Sequence, residues 1–209
     1  MKLLSKIVYK FFKFLYPVKY IGLENVPSDG SVIVCNHYRF IDCMFLYEIA
    51  NKNCVILGKK ELFKVKIVGS IIKDFGAVPI DREKPDIKDL LICIKALKNG
   101  KNLVIFPEGT RNKTKTDDLQ EIKGGAGVFA VKTKKLITPV MILKREKIFR
   151  KSYLMIGEPF SLEDYYERKL DDNTIAEIDK LIKDKMNEVH AKIRALKTSK
   201  KGKNDNTKE

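Results

Sequence analysis

The chain holds two imidazoles, His37 and His190, and the first lies where a proton acceptor would be useful. Residues 31–42 read Ser-Val-Ile-Val-Cys-Asn-His-Tyr-Arg-Phe-Ile-Asp, an apolar strand pattern followed by His37 and then Asp42. A carboxylate beside an imidazole fixes its tautomer and stabilises the imidazolium formed when the ring takes a proton. Such a pair is a general base. Within one continuous α-helix, residues five apart diverge by about 140°. His37 and Asp42 can therefore meet only across a turn, such as the handover from a strand to a helix, and in α/β sheets ligands gather at the carboxyl ends of strands. Taken by itself, the spacing equally describes a structural histidine at a strand end. Cys35 adds a thiol two residues before the imidazole. It lies inside an apolar run and His37 has left the strand, so Cys35 reads as packing rather than as a nucleophile.

A second segment, Asn102 to Asn112, reads Asn-Leu-Val-Ile-Phe-Pro-Glu-Gly-Thr-Arg-Asn. A buried strand ending in Glu108, Gly109, Thr110 and Arg111 brings a carboxylate, a flexible glycine, a hydroxyl and a guanidinium into one short turn. The arginine fork suits phosphate oxygens, and glycine permits close backbone approach. The alternative is a surface loop with an internal ion pair. A third segment, Gly76 to Arg82, reads Gly-Ala-Val-Pro-Ile-Asp-Arg. The run Lys123-Gly-Gly-Ala-Gly127 lacks the spacing and the following Lys-Ser/Thr of a phosphate-binding P-loop, and reads as the opening of a helix. With two histidines a His-rich zinc site is excluded, no carboxylate spacing suggests another metal, and no cofactor is expected. The four cysteines form no CxxC pair and read as small reduced core residues.

The elements that must hold these groups follow from periodicity. Apolar runs predict strands over 31–35, 54–57, 77–80, 103–106, 138–143 and 153–156. Helical patterns predict helices over 42–50, 65–75, 85–98, 125–134 and 174–196, the last opened by a capping box of Thr174 with Glu177. Alternating strands and helices, with strands apolar throughout, imply a single α/β domain with a largely parallel, helix-covered central sheet. Residues 1–20 form a basic amphipathic segment in which Leu3, Leu4, Ile7, Val8, Phe11, Phe12 and Leu15 recur at helical spacing and lysines fall mostly opposite. Lysines at every turn exclude a transmembrane span, and no apolar h-region marks a signal peptide. The segment fits a helix lying in a membrane interface, or one packed on its own domain. The domain itself spans 21–196. Residues 197–209 carry no apolar side chain and are expected to be a disordered basic tail. The formal net charge of +15 calls for an acidic counterpart, whether anionic lipid, nucleic acid or an acidic partner. No reader motif or exposed aromatic array points to nucleic acid.

Taken together, NHYRFID, GAVPIDR and FPEGTRN resemble, in order and separation, the signature blocks of the glycerolipid acyltransferases, most closely the 1-acylglycerol-3-phosphate acyltransferase branch. Lys59-Lys-Glu61-Leu, Pro139-Val140 and Gly157-Glu-Pro159 are similar to weaker blocks, and the resemblance covers roughly residues 20 to 160. It implies the glycerol-3-phosphate acyltransferase-like fold. It also implies that His37 deprotonates the free hydroxyl of a lysophospholipid and that Asp42 supports His37. The hydroxyl would then attack an acyl thioester without a covalent acyl-enzyme. Arg82, Glu108, Gly109, Thr110 and Arg111 would hold the glycerol phosphate. The implied donor is acyl-CoA or acyl-carrier protein, the product phosphatidic acid, and the place the cytoplasmic face of an anionic membrane, bound peripherally. Arg39 stands where the family often has Ser and adds a cation beside the base, a departure that bears on the identity of the acceptor.

Overall fold

The apolar runs pair into one sheet because each can bury both of its faces only between layers of helices. The computed structural model describes residues 2–80, 86–114, 116–143 and 147–205, as backbone alone beyond 196. Its elements are α1 (Leu3–Leu15), β1 (Val18–Ile21), β2 (Val32–Cys35), α2 (Asp42–Ile49), β3 (Cys54–Lys59), α3 (Lys66–Asp74) and β4 (Ala77–Ile80). There follow α4 (Ile87–Lys98), β5 (Asn102–Ile105), α5 (Ala126–Thr133), β6 (Ile137–Leu143), β7 (Ser152–Ile156) and α6 (Asp172–Asp205). The seven strands lie in the order β1-β7-β6-β2-β5-β3-β4. All neighbours are parallel except β6 and β7, which form an antiparallel hairpin. The chain is thus a single α/β domain with a mostly parallel sheet, as its alternating patterns imply.

Side-chain alternation sorts the strands onto two cores. Val32 and Val34 of β2 join Leu97, Phe129, Ile178, Ile182 and Met186 beneath α4, α5 and α6. Ile33 and Cys35 face the other way, onto Met44, Phe45 and Ile49 of α2 and Phe75 after α3. The residue that leaves β2 on the α2 side is His37, two positions on from Cys35.

Three features depart from the sequence reading. Pro17 ends α1, and Val18–Ile21 then forms a short edge strand parallel to β7 that is not among the expected strands. Helix α6 begins at Asp172, and Asp171 caps it by accepting the Thr174 N–H at 2.9 Å, so the expected box with Thr174 as the cap is not formed. Glu177 instead pairs with Arg168 at 2.8 Å. The backbone of α6 also continues to Asp205, nine residues past Leu196 where the expected disordered tail starts. Extending a formed helix adds one hydrogen bond per residue fixed, and lysine is a good helix former, so the polar end propagates from the docked part.

Candidate active site

The chain leaves β2 through Asn36, whose side chain behaves like one more strand residue. Its Nδ2 donates to the Ile142 carbonyl at 3.0 Å and its Oδ1 accepts the Ile142 N–H at 2.8 Å. That double bond to β6 fixes the direction in which His37 emerges. Residues 39–42 then turn, with the Asp42 N–H donating to the Arg39 carbonyl at 3.1 Å, and α2 starts at Asp42. The turn brings His37 Nδ1 to 2.8 Å from Asp42 Oδ2. The same oxygen accepts the backbone N–H groups of Tyr38 at 2.7 Å and Arg39 at 2.8 Å. Asp42 is fully buried at a helix N-terminus, where three donors and the helix dipole favour its ionised form. With Nδ1–H directed at the carboxylate, the neutral ring carries its lone pair on Nε2. Phe106 stacks on the imidazole at 3.9 Å between centroids and 21° between planes, and 10% of the His37 side chain reaches solvent.

The loop after β5 grips the backbone of the same histidine. Glu108 Oε1 accepts the His37 N–H at 2.9 Å, and Oε2 accepts the Gln120 N–H at 3.1 Å. Burial pushes the Glu108 carboxyl above its ordinary pKa, and the two N–H donors pull part of the way back. The Asn112 N–H donates to the His37 carbonyl at 2.7 Å, so both peptide groups flanking the imidazole are held from this one loop. Gly109 turns the chain with φ +68, a left-handed backbone that favours glycine, and a Cβ there would lie 3.2 Å from Lys123 Cδ.

The candidate residues thus divide. His37 and Asp42 are in direct contact. Glu108 is buried behind His37 and engaged with backbone, whereas Thr110 and Arg111 are exposed on the loop and Gly109 is half-buried between them. Arg82 lies outside the described residues. Lys59 and Glu61 are exposed and 3.8 Å apart. Cys35 is fully buried, with Sγ 3.6 Å from Asn36 Oδ1. The sequence reading missed Asn112 as a bracing residue. Its side chain accepts from Thr114 and donates to the Asp118 carbonyl, a local pattern that its position one past Arg111 could have suggested.

The chain as a whole is similar to known proteins. A family model described as Acyltransferase matches residues 17–143, from the start of β1 to the end of β6. A 1-acyl-sn-glycerol-3-phosphate acyltransferase of Bacillus subtilis is 36% identical over 155 residues, covering 71% of this chain and 76% of that protein. One from Helicobacter pylori is 35% identical over 134 residues, covering 62% of this chain and 56% of that protein. A chloroplastic one from Arabidopsis thaliana is 34% identical over 137 residues, which span 64% of this chain but 38% of the relative. Among solved structures, the 1-acyl-sn-glycerophosphate acyltransferase PlsC of Thermotoga maritima superposes with a TM-score of 0.64 at 25% identity, over 90% of this chain and 80% of that one. The His37–Asp42 turn and the loop that braces it both fall inside the matched region, and the chain belongs to the acyltransferase family.

Proposed function

We propose that the chain transfers an acyl group from a thioester, acyl-CoA or acyl-carrier protein, to the free hydroxyl of 1-acylglycerol-3-phosphate, giving phosphatidic acid for phospholipid synthesis. The observation that carries this reading is the buried Asp42 carboxylate holding His37 Nδ1 at 2.8 Å beside a loop that exposes Thr110 and Arg111. His37 Nε2 takes the hydroxyl proton as the oxygen attacks the thioester carbonyl. The resulting imidazolium is stabilised by Asp42. Collapse of the tetrahedral intermediate breaks the C–S bond, and the proton passes from His37 to the departing thiolate. A positioned base of this kind contributes roughly 10²–10⁴-fold. Arg111, with Arg82, counters the acceptor phosphate by forked hydrogen bonds. Glu108 serves the same end from behind, by fixing the His37 N–H. The burial of Cys35 supports direct transfer over a thiol acyl-enzyme.

Reaching a lipid acceptor requires the site to meet a membrane, and we place the protein peripherally at the cytoplasmic face. Helix α1 turns Tyr9, Phe12 and Tyr16 toward the domain and leaves Leu3, Leu4, Ile7, Phe11 and Phe14 exposed. The turn after β6 adds exposed Ile148 and Phe149, whose ring meets Phe14 at 5.7 Å, and the Phe149 N–H is bonded to the Leu15 carbonyl at 2.7 Å. Lysines flank this apolar face, each worth about 1 kcal/mol near anionic lipid. Among the described residues no helix is long and apolar enough to cross a membrane.

The test is an assay of purified protein with labelled acyl-CoA or acyl-carrier protein and a panel of lysolipids. Ester should form on lysophosphatidic acid and be abolished in His37→Ala. Ester formation that persists in His37→Ala, or preference for an acceptor without a phosphate monoester, overturns the assignment.

A further inference from the structure

The C-terminal helix reaches the active-site loop through an ion cluster that the chemistry above does not use. Arg194 Nη2 donates to Asp117 Oδ1 at 2.6 Å and to Asp118 Oδ1 at 3.0 Å, and Nε lies 3.4 Å from Asp117 Oδ2. One turn earlier on α6, buried His190 brings Nε2 to 3.6 Å from Asp117 Oδ2. The far end of this cluster is anchored, because Val189 and Ile193 beside these residues belong to the core beneath the sheet. The near end continues inward. The Asp118 carbonyl accepts from Asn112 Nδ2 at 2.9 Å, and the Asn112 N–H donates to the His37 carbonyl at 2.7 Å. Two residues after Asp118, the Gln120 N–H takes one oxygen of Glu108 while the other holds the His37 N–H. An unbroken series of bonds therefore runs from α6 to both backbone groups of the base.

We propose that Asp117 and Arg194 are positioning residues whose ion pair latches the loop after β5 to α6, keeping residues 109–111 in their anion-binding arrangement. The kinetic part of this inference rests on the acyl-transfer reading. An ordinary exposed ion pair contributes almost nothing. This one differs in that the guanidinium engages both Asp117 oxygens and the Asp117 side chain is 18% exposed. Burial disfavours the Asp117 charge, but the bonds and charge of Arg194 outweigh that and keep the carboxyl below its ordinary range. Burial, and then Arg194, hold His190 below the usual imidazole range, so His190 is neutral at pH 7 and Arg194 carries the balancing charge.

Among its described residues the loop from β5 to α5 has no helix or strand, so its order depends on such ties. Releasing the latch lets it sample arrangements that do not bind the phosphate. Apparent affinity then falls by the fraction of chains left competent, while a saturating acceptor restores the closed loop. The signature is a rise in KM for the acceptor with kcat retained.

Steady-state kinetics with lysophosphatidic acid as the varied substrate, combined with amide hydrogen exchange at Asn112 and Gln120, test this in the full chain. Arg194→Ala and Asp117→Asn should each raise the acceptor KM about fivefold to tenfold and change kcat less than about twofold. The double variant should be no worse than either single one, Arg194→Lys should recover part of the loss, and exchange at both amides should quicken. Unchanged KM with unchanged exchange, a kcat loss without a KM change, or additive effects in the double variant overturn the latch. If the wild-type protein acylates no acceptor, the acyl-transfer reading fails instead, and the exchange measurements alone decide whether Arg194 orders the loop.

Discussion

Replacing Asp42 by Asn removes one charge from the site and almost nothing else. The carboxylate is fully buried, and Oδ2 accepts from His37 Nδ1 at 2.8 Å and from two backbone N–H groups. An amide has the same shape and can keep its oxygen on the two backbone donors, so the turn survives. What disappears is the attraction between the carboxylate and the imidazolium formed in the transition state. At about 4 Å between charge centres and an effective dielectric of about 20, that attraction is about 4 kcal/mol. At about 1.4 kcal/mol per tenfold, kcat should fall by about 10³. An amide rotated with its NH₂ toward Nδ1 would also impose the wrong tautomer, which moves the loss toward 10⁴, the upper end of what a general base contributes (roughly 10²–10⁴).

The assay is acyl transfer at saturating donor and acceptor, with KM measured separately. Because Asp42 has no exposed surface, it cannot touch substrate, and both KM values should stay within about threefold. Groups that act as a unit are non-additive, so His37→Ala combined with Asp42→Asn should be no slower than His37→Ala alone. A kcat within tenfold of wild type, or an effect confined to KM, would refute the base assignment. A double variant slower than the single one by the full Asp42→Asn factor would show that Asp42 acts on something other than His37.

Further outcomes follow from other residues. Glu108→Gln sets an NH₂ against one of the two N–H groups that the carboxylate now holds, at 2.9 and 3.1 Å. A donor left unsatisfied in a buried site costs about 1–3 kcal/mol, so melting should come earlier and kcat/KM fall roughly tenfold, read by calorimetry and initial rates. Asp179 is half-buried, and burial raises its pKa from 3.8 to about 6. Between those values the folded state keeps a proton that the unfolded chain has released, so this group's contribution to stability declines as pH rises from about 4 to 6. Discounted for exposure, the deficit at neutral pH is about 1 kcal/mol, and Asp179→Asn should raise Tm at pH 7.5 but not at pH 4. Phe149 is 65% exposed and sits at φ +59, a backbone that favours glycine. Phe149→Gly should leave stability in solution unchanged or raised by up to about 1 kcal/mol. It should also weaken salt-sensitive binding to anionic liposomes about tenfold or more, the value of burying one Phe side chain. Binding that is unchanged by Phe149→Gly would remove the hairpin from the membrane face.

The parts of this molecule legible in the sequence are those whose cause is local. The interior strands read correctly because a strand covered on both sides is buried at every position and so mostly apolar, as β2 and β6 are. The contact between His37 and Asp42 follows from local geometry, because residues five apart at a strand end can meet only across a turn. Strand β1 was missed because Val18–Ile21 owes its conformation to β7, more than 130 positions away in the chain, and its own pattern continues that of α1. The helix cap was misplaced because Thr174 and Glu177 satisfy the capping pattern one turn inside a helix that Asp171 already caps. Which way these loop side chains face was not legible. Glu108 and Arg111 stand three residues apart in one motif, yet one is buried against backbone and the other exposed.

That difference within a single motif bears on how the base is made accurate. A side chain is no better placed than its own backbone, and His37 stands outside regular structure, where the sheet ladder no longer fixes it. Four residues replace the ladder: Asn36 ties the preceding position to β6, Glu108 takes the N–H, Asn112 reaches the carbonyl through its backbone and Asp118 through its amide, and Asp42 holds the ring. Three of these come from outside the Asn36–Asp42 turn or bond outside it, and two sit on the loop that carries Thr110 and Arg111. A displacement of that loop therefore moves His37 together with Thr110 and Arg111. Loss of about 1 Å in such an arrangement is enough to cost roughly 100-fold in rate. Glu108 and Asn112 thereby fix the distance between His37 and the exposed Thr110 and Arg111 without adding a group of their own to the open face of the site.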